Sequence, residues 1–203
     1  MAIIRAVTKS FPPPPVDTDE ILRYAGCRRG GDEVIRSLLD EVTKEAEGLL
    51  TYKVCYLISD ITVTDDGIYM REEFFPSCSL AKTLQGSDKA VLFGATVGIA
   101  LDRLIMRYSK LSPAKAVLLQ GFGAERIEAL CDEFCSFLQS EYKDNKFTSR
   151  FSPGYGDLDI KNQKTIFDLL NAEKNIGLFL NESMLMTPSK SVTAFAGISI
   201  QSR

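Results

Sequence analysis

Arg150-Phe151-Ser152-Pro153-Gly154-Tyr155-Gly156-Asp157 lies between two helix-like patterns, in a segment that cannot itself be helical. Pro153 fixes its own φ and pushes Ser152 out of the helical region. Gly154 and Gly156 allow positive φ or a close approach of the backbone to a ligand. Tyr155 between them offers an aromatic face and a hydroxyl. Arg150 leads the turn with a planar fork suited to gripping a carboxylate or a phosphate through two parallel hydrogen bonds. The residues alone leave two readings open. One is a ligand-gripping turn; the other is a surface turn with a solvated arginine and a tyrosine packed on the core.

Upstream, residues 124 to 141 form the longest amphipathic pattern, with Ile127, Leu130, Cys131, Phe134, Phe137 and Leu138 on one face. Residues 114 to 119 read as a strand, as does the apolar run from Lys89 to Gly94, which leads into a helix carrying Val97, Leu101, Leu104, Ile105 and Tyr108. Leu80 to Leu84 predicts a short helix. Tyr52 to Val63 is rich in β-branched and aromatic residues, and Ile68 to Met70 follows an Asp66-Gly67 step, so an antiparallel hairpin is expected. Asp32 to Leu49 carries apolar residues at helical spacing. Before it, Gly26, Gly30 and Gly31 with Arg28 and Arg29 suit a helix stop or an anion-holding loop. Asp17 and Thr18 are cap candidates for a short helix through Ile21, Leu22 and Tyr24. Ile3 to Val7 is a possible first strand, and Pro12 to Pro15 favour an extended arm, residues 1–16, wrapped on the domain.

Downstream of the turn, Lys161 to Leu170 is helical. Short strands are expected around Ile176–Leu180, Met184–Met186 and Val192–Ile200, the last two joined through Thr187-Pro188-Ser189-Lys190. Helices and hairpins mix without strict βαβ alternation. The expected class is α+β, a single domain over residues 1–203 with a substantially antiparallel twisted sheet and several amphipathic helices.

Composition narrows the function. The 203 residues are 45% apolar and 25% charged, with a net charge of −3, which leaves no general basic field. Nucleic acid and anionic membranes are therefore not expected as partners. No apolar run approaches a membrane span and no secretory leader is evident, so a cytoplasmic protein is expected. The five cysteines contain no Cys-x-x-Cys pair. Cys131 and Cys135 lie one helical turn apart but lack a second pair to complete a metal site, and buried free thiols are expected. There is no histidine, which removes a Ser-His-Asp triad, a histidine base and histidine ligation of a metal, including the cobalt of a corrinoid.

The stretch from Arg150 to Tyr155 resembles the Arg-x-x-x-Gly-Tyr signature of the activation domain of cobalamin-dependent methionine synthase, most of all its stand-alone bacterial form. Ile21-Leu22-Arg23-Tyr24-Ala25-Gly26 is similar to that form's Leu-Arg-Tyr-x-Gly stretch. Gly94-Ala95-Thr96-Val97-Gly98, Asn181-Glu182-Ser183 and Pro188-Ser189-Lys190-Ser191-Val192 resemble further pieces in the right order. The resemblance implies that S-adenosylmethionine is bound, with Arg150 on its carboxylate, Tyr155 near its sulfonium or ammonium, and residues Pro153, Gly154, Tyr155 and Gly156 along the adenine. It implies a helix glutamate at Glu128, with Glu125 or Asp132 as one-turn alternatives, and an N-terminal acidic contact at Asp17 rather than Asp19. A tyrosine in the last strand of the family is replaced by Ala196 here.

The function so implied is an accessory subunit that supports reductive remethylation of cobalamin on a separate methionine synthase core. A flavodoxin-like electron donor is a further expected partner. The chain would assist rather than catalyse, so no catalytic or metal-ligating residue is assigned. Two other readings remain: a sensor or scaffold that binds the same nucleotide, and an independent methyltransferase. The second rests on a strand Ala116–Leu119 running into Gln120-Gly121-Phe122-Gly123, a weak form of a nucleotide-binding glycine loop.

Overall fold

The computed structural model describes residues 5–27 and 31–200. Ile3, Ile4, Arg28, Arg29 and Gly30 lie outside them. The first strand, β1, runs Val7–Phe11 and is followed by α1 (Thr18–Tyr24) and α2 (Glu33–Glu47). Asp17 caps α1 as expected, its Oδ1 accepting from Glu20 N at 3.0 Å. Next come β2 (Tyr52–Val63), β3 (Gly67–Met70) and β4 (Glu73–Pro76), then α3 (Cys78–Thr83), β5 (Lys89–Thr96) and α4 (Ala100–Leu111). The second half holds α5 (Pro113–Glu141), β6 (Asn145–Phe147), a 3-10 turn Ile160–Asn162, α6 (Gln163–Leu170) and α7 (Ala172–Ile176). Strands β7 (Phe179–Leu180), β8 (Met186–Thr187) and β9 (Ser191–Ile200) close the chain.

Seven strands among the described residues form one antiparallel sheet in the order β4-β3-β2-β5-β9-β6, with β1 also on β2. The α+β class with a largely antiparallel sheet is the one the sequence predicts. Alternation along β5 gives the sheet two buried faces. Val91, Phe93 and Ala95 point into a core shared with α1, α2, α4 and α5; Ala90 and Leu92 point into a second core with α3, α6 and α7. The Asp66-Gly67 hairpin forms as expected, Ile61 facing Met70. No helix of the described residues is long and apolar enough to cross a membrane.

Several expectations are corrected. Residues 114 to 119 are not a strand; they are the first turns of α5, which begins with Pro113 at its first position. Ala116, Leu118 and Leu119 are buried in the core shared with the neighbouring helices, and a short apolar run of this kind cannot be told from a strand by its pattern. Gly121 and Gly123 therefore sit inside a helix. A Cβ on Gly121 would lie 2.6 Å from Ile21 O, and one on Gly123 would lie 2.5 Å from Leu101 Cδ2, so these glycines permit α1 and α4 to pack close. With that, the glycine-loop support for an independent methyltransferase is gone. Residues 172 to 176 are helical, the strand there shrinking to Phe179–Leu180. Met186 pairs with Leu180 and not with β9, so the short hairpin is β7–β8. Of the expected strand Ile3–Val7, the described residues Arg5 and Ala6 lie outside a strand and Val7 opens β1.

Candidate functional site

The Arg150–Asp157 segment is stitched to β9 through a two-way pair, Phe151 N to Phe195 O at 2.9 Å and Phe195 N to Phe151 O at 2.8 Å. It then turns on itself, with Gly154 N donating to Leu158 O at 2.8 Å. Gly154 and Gly156 both have positive φ, 92° and 54°. A side chain at Gly156 would meet Ser79 Oγ at 2.8 Å and Cβ at 2.9 Å, which fixes glycine there on two counts. Asp157 secures the far end: its carboxylate accepts from Ser77 Oγ, from Cys78 N at 2.9 Å and from Ser79 N at 3.1 Å. These bonds, Ser77 first, hold the Asp157 carboxyl well below the usual range.

The segment forms one wall of a cleft of about 710 Å³, within the range of small-molecule sites. Arg150, Pro153 and Tyr155 line that wall, and Glu128 of α5 joins them. The opposite wall is the β7–β8 hairpin with Met184, Leu185 and Met186, and the floor is the start of β9 with Ser191, Val192 and Thr193. Ser189 N lies 3.2 Å from both Asp102 oxygens, tying the loop before β9 to the first turn of α4. Tyr155 is 69% exposed, so its ring stands at the mouth and is not core.

Arg150 Nη2 donates to Glu128 Oε2 at 2.9 Å, and Nη1 lies 2.9 Å from Asp132 Oδ1. The cleft thus carries a facing cation and anion beside an apolar flank, a donor set matched to a zwitterionic head group joined to a less polar body. Gly154 and Gly156 shape the wall but do not themselves face the cleft. Asp17 sits elsewhere, in a neighbouring recess of about 420 Å³ that shares Glu128 with the cleft. Its backbone N is 3.2 Å from Glu125 Oε1. Glu125, one of the alternatives to Glu128, is buried against Arg126, whose Nη1 and Nη2 donate to Pro14 O and Pro15 O, each at 2.6 Å. That pair pins the proline arm. Ala196 packs in the helix-side core opposite Val91 and does not line the cleft.

One contributor escaped the sequence reading. Gln163 is buried, lines the cleft and accepts from Thr193 Oγ1 at 2.8 Å. The signal was present: it falls three and four residues before Ile166 and Phe167, a polar residue on an apolar helix face. The strands of the β7–β8 hairpin were expected near these positions, but Met184–Met186 was joined to the last strand, and the pairing of Met186 with Leu180 had no signal in the sequence.

A search of curated proteins finds no match. A solved structure described as "Crystal Structure of the MetH Reactivation Domain bound to AdoHcy" superposes with a TM-score of 0.67 at 15% identity, covering 98% of this chain and 80% of that one. At that identity the likeness speaks for the fold. The family model "Vitamin B12 dependent methionine synthase, activation domain" matches residues 80–203, more than half of the chain and all of the cleft's walls. The chain belongs to the vitamin B12 dependent methionine synthase activation domain family.

Proposed function

We propose that this chain, as one domain in the cytoplasm, binds S-adenosylmethionine in the 710 Å³ cleft and supports reductive remethylation of cobalamin held by a separate methionine synthase core. The observation that carries the reading is the Arg150–Glu128 pair facing the cleft. An amino-acid head can exchange with such a pair, its carboxylate taking the guanidinium and its ammonium the glutamate, so that no charge is left alone. Tyr155 at the mouth offers its ring face to the sulfonium. Pro153 lines the wall proposed for the adenosine, and Gly154 and Gly156 behind it set the turn that shapes that wall. Asp17, the proposed N-terminal acidic contact, borders the neighbouring recess that shares Glu128 and not the cleft itself. The solved relative is described as bound to AdoHcy, the demethylated form of the same molecule, which agrees with this assignment.

In this role the chain positions the methyl donor, while the partner's cobalamin supplies the metal chemistry and a flavodoxin-like protein the electron. Calorimetric titration with S-adenosylmethionine tests the binding. Arg150→Ala should lose about 2–5 kcal/mol of affinity; equal affinities would remove Arg150 from the site. Recovery of an oxidised cobalamin-dependent methionine synthase, given S-adenosylmethionine and reductant, should be faster with the chain than without it. Equal rates would dismiss the accessory role.

A further inference from the structure

We propose that Asp132 is a positioning residue: from outside the cleft it holds one edge of the Arg150 guanidinium, so that the other edge is presented to a ligand carboxylate. The inference rests on the ligand reading above and adds a residue to it. Glu128 and Asp132 are four residues apart on α5 and so lie on one helix face, one turn apart. Arg150 is clasped between them, Nη2 on Glu128 and Nη1 on Asp132, both at 2.9 Å. The two carboxylates differ in what else they face. Glu128 borders both the cleft and the neighbouring recess, whereas Asp132 borders only the recess.

That difference matters when a zwitterionic head arrives. If Glu128 turns to the ligand's ammonium, Arg150 loses its hydrogen bond to α5, and a long side chain has considerable rotamer freedom to regain. Asp132 is then the carboxylate that still holds it. Nη1 is buried and donates no hydrogen bond, so its contact with Asp132 is charge attraction without hydrogen-bond alignment. The other groups acting on the guanidinium are the thiols of Cys131 and Cys135. Burial pushes both thiols up, so they stay neutral and supply no counter-charge. Asp132 is 73% exposed, which makes the pair a modest, salt-sensitive one.

The experiment compares wild type with Asp132→Asn using two probes, S-adenosylhomocysteine and 5′-methylthioadenosine, the second lacking the amino-acid head. Asp132→Asn should weaken S-adenosylhomocysteine roughly two- to fivefold, with methylthioadenosine unchanged. Equal loss for both probes, or no loss for either, overturns the assignment. A second readout needs no ligand: exchange of the Arg150 Nε–H with water, followed by nuclear magnetic resonance, should be faster in Asp132→Asn. Unchanged exchange overturns the positioning role. If wild type binds neither probe while that exchange still speeds up, the ligand reading has failed and the clasp on Arg150 stands.

Discussion

Asp157 shows how one residue of the Arg150–Asp157 segment acts on a distant element. Its carboxylate collects three donors from Ser77, Cys78 and Ser79 and so serves the exposed N–H groups at the start of α3. Because these bonds favour the charged form, its pKa is depressed in the folded protein. A depressed carboxyl contributes stability that is fully present above its unfolded pKa, about 4, and is lost as pH falls below that value towards the folded one. Asp157→Asn should therefore melt below wild type at neutral pH, and the gap should narrow as pH drops under about 4. Melting curves across pH decide this; a gap constant with pH would mean that charge is not the cause. Gly156 makes a second case at the same scale. Gly156→Ala combines positive φ with a collision against Ser79 and should destabilise by at least about 1 kcal/mol, measured by urea unfolding. Wild-type stability in that variant would show that the segment can shift away from α3 at no cost.

Helix α5 is the element on which sequence and structure diverged most. Its second half was legible because apolar residues recur at helical spacing from Ile127 to Leu138. Its first half was not: Ala116, Leu118 and Leu119 are buried while Val117 among them is exposed, so the apolar run of residues 116–119 is too short and too evenly apolar to show a helical period. Arg126 was equally hidden: nothing in the sequence marks an arginine that is 0% exposed. Its partners explain it. Pro14 and Pro15 have carbonyls but no N–H, so the arm cannot satisfy itself in a ladder, and the guanidinium supplies the donors while Glu125 balances its charge. Arg126→Leu should cost about 3–5 kcal/mol, since it leaves Glu125 buried and unpaired, and should expose residues 12–16 to limited proteolysis. Replacing both Glu125 and Arg126 with leucine should recover much of the stability without restoring the arm's protection. Should the single variant be as stable as wild type, the pair is not the clamp.

At the scale of the whole molecule, strand β5 carries the sheet, with partners along eight residues on each side in β2 and β9. The hairpin β7–β8 that closes the cleft is held in a separate sheet by two residue pairs. That contrast also explains what was legible. Long strands announce themselves by β-branched runs, Arg150 came from a motif, and Glu128 came from the family resemblance of its helix with Glu125 and Asp132 as alternatives. The short strands of the far wall were expected near Ile176–Leu180 and Met184–Met186, but two-residue strands have too little length to fix a partner, so their pairing with each other had to come from the structure. The same contrast makes local openings easier at the hairpin than at β5, because few buried contacts hold it. A ligand seated between the hairpin and the Arg150–Asp157 segment binds the closed form and so suppresses those openings in proportion to its occupancy. Adding S-adenosylhomocysteine at about a hundred times its dissociation constant corresponds to about 2.7 kcal/mol of stabilisation. Hydrogen exchange should then slow most at residues 179–187 and 151–158. Exchange at residues 89–96, governed by global unfolding, should slow only by the shared increment. Arg150→Ala should show neither effect at the same ligand concentration. If protection rises at β5 but not at the hairpin, the ligand sits elsewhere, and the cleft between β7–β8 and the glycine segment is not where it binds.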